Sequence, residues 1–471
     1  MTTLVWLRDD LRTVDHEALV AACSEADGTG VVAVWIREDV PDDADEDRIG
    51  ARSLGAATRW WYHRSLRLLS SRLEALGIPL VFASGDPREV VPALAHALGA
   101  SSVRWSRRYA PPATALDTQV KQLLADAGFD VHSHAGALLV EPWTVSTGAG
   151  KHYTVFTPFH RAAQEAPVPE PLPAPQAVPL PGSLTARLRT ATDDGLLTGL
   201  DVLGLLEGHD WWTDTVEQHW TPGEAAGLAR LDAIDDWLPD YRTGRDEPAA
   251  PDATSRLSPH LRSGDLSPRM LWHAAHRPDL PAEDASAWIR QLYWREFCWH
   301  LTFHVPDLDR APLRRQFERF EYQPDADFVT AWQQGRTGLD LVDAGMLQLW
   351  HTGWMHNRVR MVTASLLVKN MLQPWQVGEQ WFWDTLVDAD EANNPVSWQW
   401  VAGCGADAAP YFRVFNPDRQ RDRFDPHGTY LAQWLPRRGP EVVTPVVDLA
   451  NSRRDALEAF KALGSAHATP S

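Results

Sequence analysis

Residues Thr352–Met361 read TGWMHNRVRM, and the rest of the chain is best understood outward from them. Spaced as a helix, Trp354, Asn357, Arg358 and Met361 share one face at i, i+3, i+4 and i+7. A face turned to an ordinary core is aliphatic. This one carries an indole, an amide, a guanidinium and a thioether, which suits the wall of a wet aromatic pocket. Further on, Asp388–Trp400 reads DADEANNPVSWQW. On a helix Trp398 and Trp400 stand about 200° apart, so one indole can meet a buried partner while the other faces a cleft.

Upstream, Trp288, Gln291 and Arg295 fall at i, i+3 and i+7, with Trp294 three residues after Gln291, and predict a second aromatic and polar helix face. Thr254-Ser-Arg-Leu-Ser258 sets two hydroxyls and a guanidinium close to a helix start, a pattern that serves either as a diphosphate cradle or as a plain helix cap. Asp388 and Asp390 resemble the opening of a calcium loop. That reading fails, because Asn393 stands at the sixth position instead of Gly and Gln399 at the twelfth instead of Glu. A carboxylate paired with arginine fits better, and Arg360 is the expected partner of Asp388.

Residues 1–133 alternate short apolar runs with amphipathic stretches. Leu4–Leu7, Val31–Ile36, Leu80–Phe82, Val103–Trp105 and Val131 read as strands, and the segments between them as helices. This is the pattern of a Rossmann-like α/β domain with a parallel sheet. No GxGxxG or GxxxxGK[ST] phosphate fingerprint accompanies it. Residues 134–200 form a long linker, with seven prolines from Pro167 to Pro181. Residues 201–440 are all-α, and 441–471 form a Pro/Ala-rich tail expected to be partly mobile.

The chain has 471 residues, 44% apolar and 23% charged, so it is globular. Its 23 Trp are more than core filling alone calls for; stacking on flat ligands and relaying electrons are two uses for the surplus. A net charge of −19 argues against a non-specific polyanion binder. The sign is uneven, however: between Ala344 and Gly378 there is no acid, only Arg358, Arg360 and Lys369. Three widely spaced cysteines and no signal peptide or membrane-length apolar run fit a reducing cytoplasm.

At these residues the chain resembles the DNA photolyase/cryptochrome family over nearly its whole length, and most of all its class I cyclobutane pyrimidine dimer photolyases. WLRDDLR at Trp6–Arg12 is similar to the family's opening signature. TSRLSPHL, WREF, TGWMHNRVRM, WQW and DAAPYFRVFNP at Asp407–Pro417 follow in family order. The resemblance implies an N-terminal antenna domain and a helical domain holding FAD. It implies flavin contacts from Tyr241, Thr254, Ser255, Arg256, Leu257, Ser258, Trp288, Gln291, Arg295, Trp354, Asn357, Arg360, Asp388, Asp390 and Asn394, with Asn394 beside the flavin N5. Trp294 and Trp400 are then expected to clasp a flipped-out dimer over Asn357 and Met361, with Gln291 at the same pocket. Arg358 and Arg413 are expected on DNA phosphates. The activity implied is light-driven: reduced FAD lends an electron to the dimer and recovers it, with no net redox change. Trp398 and Trp375 match two members of the family's electron relay, and Tyr322 stands where the third is normally Trp. A monomer is expected.

Two departures bear on the function. Gln291 stands where cyclobutane-dimer enzymes usually have Glu, and Gln at this place is common in (6-4) photoproduct enzymes. Those enzymes carry a His pair on the pocket helix, whereas this chain has the single His356, so the cyclobutane dimer is the first expectation. A (6-4) photolyase and a cryptochrome-type photoreceptor without repair are the alternatives. Arg107–Ala113 lacks the acid that pterin-binding members use, so a second chromophore is expected to be a deazaflavin sooner than methenyltetrahydrofolate.

Overall fold

The computed structural model describes residues 2–26, 28–38, 50–208, 210–407, 412–439 and 442–465. Its first half is a five-stranded, all-parallel sheet in the order β3-β2-β1-β4-β5. The strands are β1 (Thr2–Leu7), β2 (Val31–Glu38), β3 (Leu80–Gly85), β4 (Ala100–Ser106) and β5 (Asp130–His134). The central strands read as near-continuous apolar runs because both faces are covered. Val5 and Leu7 face α1 (Glu17–Glu25) and α2 (Ala56–Ala75). Leu4 and Trp6 face α3 (Pro87–Leu98) and α4 (Pro111–Asp126). The order of the strands reverses between β1 and β4, and the C-terminal ends of those two strands open into a crevice, where such sheets bind ligands.

The linker is more structured than its prolines suggest. Pro167–Pro181 has no regular secondary structure, but α5 (Phe156–Ala163) and α6 (Gly182–Asp193) flank it. Phe156, Phe159 and Ala163 of α5 pack into the helical half, and Leu184 and Ala191 of α6 pack back onto the sheet's second face. Each helix buries an apolar stripe, so each is held by packing despite its short length.

The second half is helical. Its elements at the site are α7 (Ala282–His304), α8 (Asp340–Thr352), α9 (Asn357–Ser365), α10 (Trp375–Thr385) and α11 (Asn393–Ala402). The tail, expected to be mobile, instead forms α12 (Leu449–Ser465). Ala456 and Leu463 are buried, Phe460 stacks on Phe412 at 4.6 Å, and Asn370 Nδ2 donates to Ser452 Oγ at 2.9 Å. Its apolar stripe is what the Pro/Ala composition concealed.

The two halves interlock through buried polar groups. Glu224 accepts from Thr13 N at 3.0 Å, Val14 N at 2.7 Å and Arg72 Nε at 3.0 Å. Arg12 Nη1 donates to Gly264 O at 3.0 Å. Gly264 has φ +70°, and a Cβ there would lie 2.0 Å from Asp9 O, so only glycine permits this approach. No helix among the described residues is long and apolar enough to cross a membrane.

Candidate functional site

Asp388 is the hub of the pocket. Its Oδ2 accepts from Ser258 Oγ at 2.7 Å and from Arg360 Nη2 at 2.9 Å, the partner expected from sequence. Arg360 Nε also donates to Met355 O at 2.7 Å. The other oxygen of Asp388, Oδ1, is buried and has no partner in the protein. A buried acceptor left unsatisfied calls for a donor from a ligand.

The Thr254–Ser258 segment is held to this hub from behind. Arg230 donates to Thr254 O at 3.0 Å and Ser255 O at 3.1 Å. Arg256 adopts φ +53°, a conformation that a side chain with a Cβ takes only when its surroundings impose it. Its guanidinium lies 4.2 Å over Trp220 and 5.8 Å from the ring of Trp354. The structure thus brings together Thr254, Ser255, Arg256, Leu257, Ser258, Trp354, Arg360 and Asp388. Trp354 does not sit on the helix, as its spacing suggested. Helix α8 ends at Gly353 and α9 restarts at Asn357, because His356 caps it: its Nδ1 accepts from Arg358 N at 3.2 Å. The His356 ring is 1% exposed, and burial lowers its pKa to about 4, so it is neutral at physiological pH.

On α11, Asn394 is buried and donates through Nδ2 to Glu379 O at 3.0 Å and Glu379 Oε1 at 2.7 Å. Burial raises the Glu379 carboxyl against the pull of Arg52. Asp390 is largely taken up by the start of α11, accepting from Ala392 N at 2.9 Å and Asn393 Nδ2 at 2.7 Å. Trp398 is buried and Trp400 half-buried, the division of roles their spacing predicts. Gly378 makes room for Trp398: a Cβ there would come within 2.1 Å of Cη2. Trp375 is also buried. Tyr322 is half-buried beside Phe320, with ring centroids 4.9 Å apart, and burial raises its hydroxyl pKa. Trp332, absent from the sequence reading, lies 6.1 Å from Trp398.

Along α7, Trp288 is buried edge-on against Trp237 at 4.9 Å, and Trp294 stacks face-to-face on Phe156 at 3.6 Å. Both ends of the Gln291 amide are engaged: Oε1 accepts from Arg245 at 3.1 Å and Nε2 donates to Ala287 O at 3.1 Å. Tyr241 is buried, and the guanidinium of Arg245 lies 5.5 Å from its ring. Arg295 lines the cleft between the halves together with Asp390, donates to Ala137 O at 3.0 Å and pairs with the adjacent Glu296 at 3.2 Å.

Asn357 is exposed and Met361 half-buried, near the start of α9 and one turn on. Arg358 is not a free cation: it pairs with Asp246 at 2.6 Å and lies over Phe424 at 4.6 Å. Arg413 is exposed, and its carbonyl is held by Lys369 Nζ at 2.5 Å. Residues 408–411 of the DAAPYFRVFNP motif lie outside the described residues.

A narrow interdomain cleft at the β1/β4 crevice is lined by Arg8, Arg12, Arg108, Trp299, Asp10 and Asp390 among others. A second, smaller cleft is lined by Arg52, Ala110–Pro112, Asp309 and Glu391. Sequence reasoning missed Arg52, Arg230 and Glu379. Only a topology that folds residue 52 onto residue 379 exposes the first and last of these, whereas the cap of His356 stood in plain view one residue before the helix.

Comparison with known proteins is consistent with this geometry. Residues 3–176 match the family model for DNA photolyase, and residues 288–442 match the FAD binding domain of DNA photolyase. The deoxyribodipyrimidine photo-lyase of Agrobacterium fabrum is 44% identical over 92% of this chain and 86% of that protein. Cryptochrome-2 of Arabidopsis thaliana is 32% identical over 92% of this chain and 70% of that protein. The crystal structure of a bacterial class III photolyase from Agrobacterium tumefaciens superposes with a TM-score of 0.88 at 39% identity, covering 99% of this chain and 98% of that one. The subclass of this neighbour is class III, not the class I expected from the motifs.

Proposed function

Because the chain belongs to the DNA photolyase/cryptochrome family, and is an FAD-binding photolyase within it, we propose that it splits cyclobutane pyrimidine dimers in DNA under light. The observation that carries this reading is the Asp388 hub. One carboxylate ties the Thr254–Ser258 segment to Arg360 and leaves a buried oxygen asking for an N–H, which the pyrimidine edge of a flavin has. Tyr241, Trp288 and Asn394 are buried in the same half of the molecule, consistent with a flat, largely desolvated ligand. When bound, reduced FAD supplies light-driven donation of a single electron, which the dimer returns on opening.

The protein's own part is to hold and to exclude. Asn394 is kept in one orientation by Glu379, and its amide is available to a group at the flavin N5. Trp294, stiffened by Phe156, and the half-buried Trp400 offer flat apolar walls for two adjacent, covalently joined thymines of one strand taken out of the stack. Asn357 and Met361 form the floor between them. Arg413 is free to meet a phosphate, and Arg358 can do so only by sharing its charge with Asp246. Trp398, Trp375 and Tyr322 form the relay that returns oxidised flavin to its reduced form, with Trp332 as a branch.

A cyclobutane substrate is favoured over the (6-4) photoproduct by His356. It is the single histidine of TGWMHNRVRM, and its Nδ1 is taken up in capping α9. For the second chromophore, the interdomain cleft at the ends of β1 and β4 is the place the fold offers. It is lined by arginines paired with carboxylates and by the aromatic rings of Tyr109 and Trp299, which suits a flat ring system such as a deazaflavin or another flavin. The stretch Arg107–Ala113, which carries no acid, disfavours a pterin at that place. The test is repair of two oligonucleotides, one with a thymine dimer and one with a (6-4) product, in light and in darkness. Light-dependent loss of the thymine dimer alone is the expected result. Repair of neither supports a photoreceptor, and repair of only the second overturns the lesion assignment.

A further inference from the structure

One line of charge passes from the sheet half of the molecule to the pocket. Arg52 lies in the segment between β2 and α2, and it crosses to α10. Its Nη1 donates to Glu379 Oε1 at 2.7 Å and its Nη2 to Oε2 at 3.0 Å, while the guanidinium stacks over Trp383 at 4.1 Å. The backbone around it is pinned to the same helix and its neighbour. Arg52 N donates to Glu391 Oε1 at 2.9 Å, Trp383 Nε1 to Ser53 O at 2.8 Å, and Ala56 N to Asp384 Oδ1 at 2.9 Å. Glu379 is 3% exposed, so its charge cannot be satisfied by water.

Glu379 Oε1 is shared. It takes Arg52 on one side and Asn394 Nδ2 on the other, while the second Nδ2 hydrogen goes to Glu379 O. An ionised carboxylate only accepts hydrogen bonds, so it holds Asn394 with its N–H groups inward and its Oδ1 turned away. A protonated carboxyl can donate instead, and the backbone carbonyl of Glu379 is then the one acceptor of this pair left to hold the amide in that orientation.

We propose that Arg52 is a positioning residue: by clamping Glu379 from the other half of the molecule, it fixes the Asn394 amide with its oxygen toward the flavin N5, which favours the reduced, N5-protonated flavin. This rests on the flavin reading above. Burial drives Glu379 toward its neutral form, and Asp309 pushes the same way; Arg52 is the cation that opposes them. Glu391 faces the backbone of Arg52 and adds no positive charge.

The test compares wild type, Arg52→Met, Arg52→Lys, Glu379→Gln and the Arg52→Met/Glu379→Gln double variant. In each FAD-loaded protein the two-electron midpoint potential is measured. Arg52→Met is expected to shift it to lower potential and Arg52→Lys to restore most of the shift. In the Glu379→Gln background, where nothing at this position can ionise, Arg52→Met is expected to change nothing further. An unchanged potential in Arg52→Met with one FAD still bound overturns the proposal. So does an equal shift in the Glu379→Gln background, since Arg52 would then act on folding alone. A second readout needs no cofactor: in the infrared difference spectrum of FAD-free Arg52→Met against wild type, an added carbonyl band of a buried carboxylic acid is expected, and it is lost in the double variant. A wild type that binds no FAD defeats the flavin reading, while the infrared band still decides what Arg52 does to Glu379. Should Arg52→Met not fold, Arg52→Gln keeps a donor without the charge and carries the same comparison.

Discussion

Trp400 and Tyr322 are the single residues on which the proposed chemistry bears most directly. Trp400 is half-buried, while Trp398, two residues before it, is enclosed. Stacking of a base on an aromatic ring is worth roughly 1–3 kcal/mol. Trp400→Ala is therefore expected to weaken binding of dimer-containing DNA by roughly ten- to a hundredfold and to leave undamaged duplex unaffected. Titrations of both DNAs by fluorescence anisotropy check this, and equal loss on both would show that Trp400 does not read the lesion. At Tyr322, burial makes the phenol harder to deprotonate. Oxidation of tyrosine sheds that proton, so the last step of the relay is expected to be slow. Photoreduction of oxidised flavin followed in Tyr322→Phe and wild type separates the routes. Slower reduction in the variant places Tyr322 on the path, and identical kinetics leave it to the branch through Trp332.

At the scale of elements, the capped restart of α9 governs both the pocket and its acid stability. His356 is held near pKa 4 inside the protein, against about 6.5 for an unfolded chain. Between those values the unfolded chain binds the proton and the folded one does not. The contribution is thus fully present above pH 6.5 and is lost as pH falls through 4. A gap of about 2.5 pH units corresponds to ~3 kcal/mol. Burial lowers His134 and His300 to about 4 as well, so His356 carries one part of the acid transition. His356→Asn keeps a capping acceptor but cannot titrate. Its Tm is expected to fall less than that of wild type between pH 7 and pH 4.5, and parallel profiles would contradict the assignment. The sequence shows the strands, the pocket helices and the Asp388–Arg360 pair because each rests on local periodicity or on complementary chemistry. The break at Gly353–His356 was read through, since the face drawn across it held together by spacing alone. The tail helix was hidden because its propensity is ordinary and its hold comes from Phe412 and Ser452, far away in sequence. For the same reason Arg52 could not be found without the fold.

For the whole molecule, the α/β and helical halves are joined by buried polar groups as well as by apolar contact. Glu224, 3% exposed, satisfies two backbone N–H groups and Arg72 across the junction. Removing Glu224 leaves two backbone N–H groups without their acceptor, whereas Arg72, more than a third exposed, turns to water, so the cost is about 1–3 kcal/mol. Glu224→Ala is expected to lose about that much in urea unfolding, and to turn one transition into two as the halves uncouple. A loss below about 1 kcal/mol with a single transition would mean that apolar packing alone holds the junction. The interlock has a functional side. The crevice at the ends of β1 and β4 and the Asp388 pocket are held together by these contacts, as the proposed pairing of a second chromophore with a flavin would need.

The claim beneath all of this is that the pocket around Asp388 seats one flavin. The absorption spectrum of the protein, purified and supplied with FAD, then freed of excess ligand, tests it most directly. One FAD per chain in wild type, with strongly reduced retention in Asp388→Ala, is the predicted result. A wild-type protein that emerges colourless, or an Asp388→Ala variant that holds FAD as tightly as wild type, would contradict it.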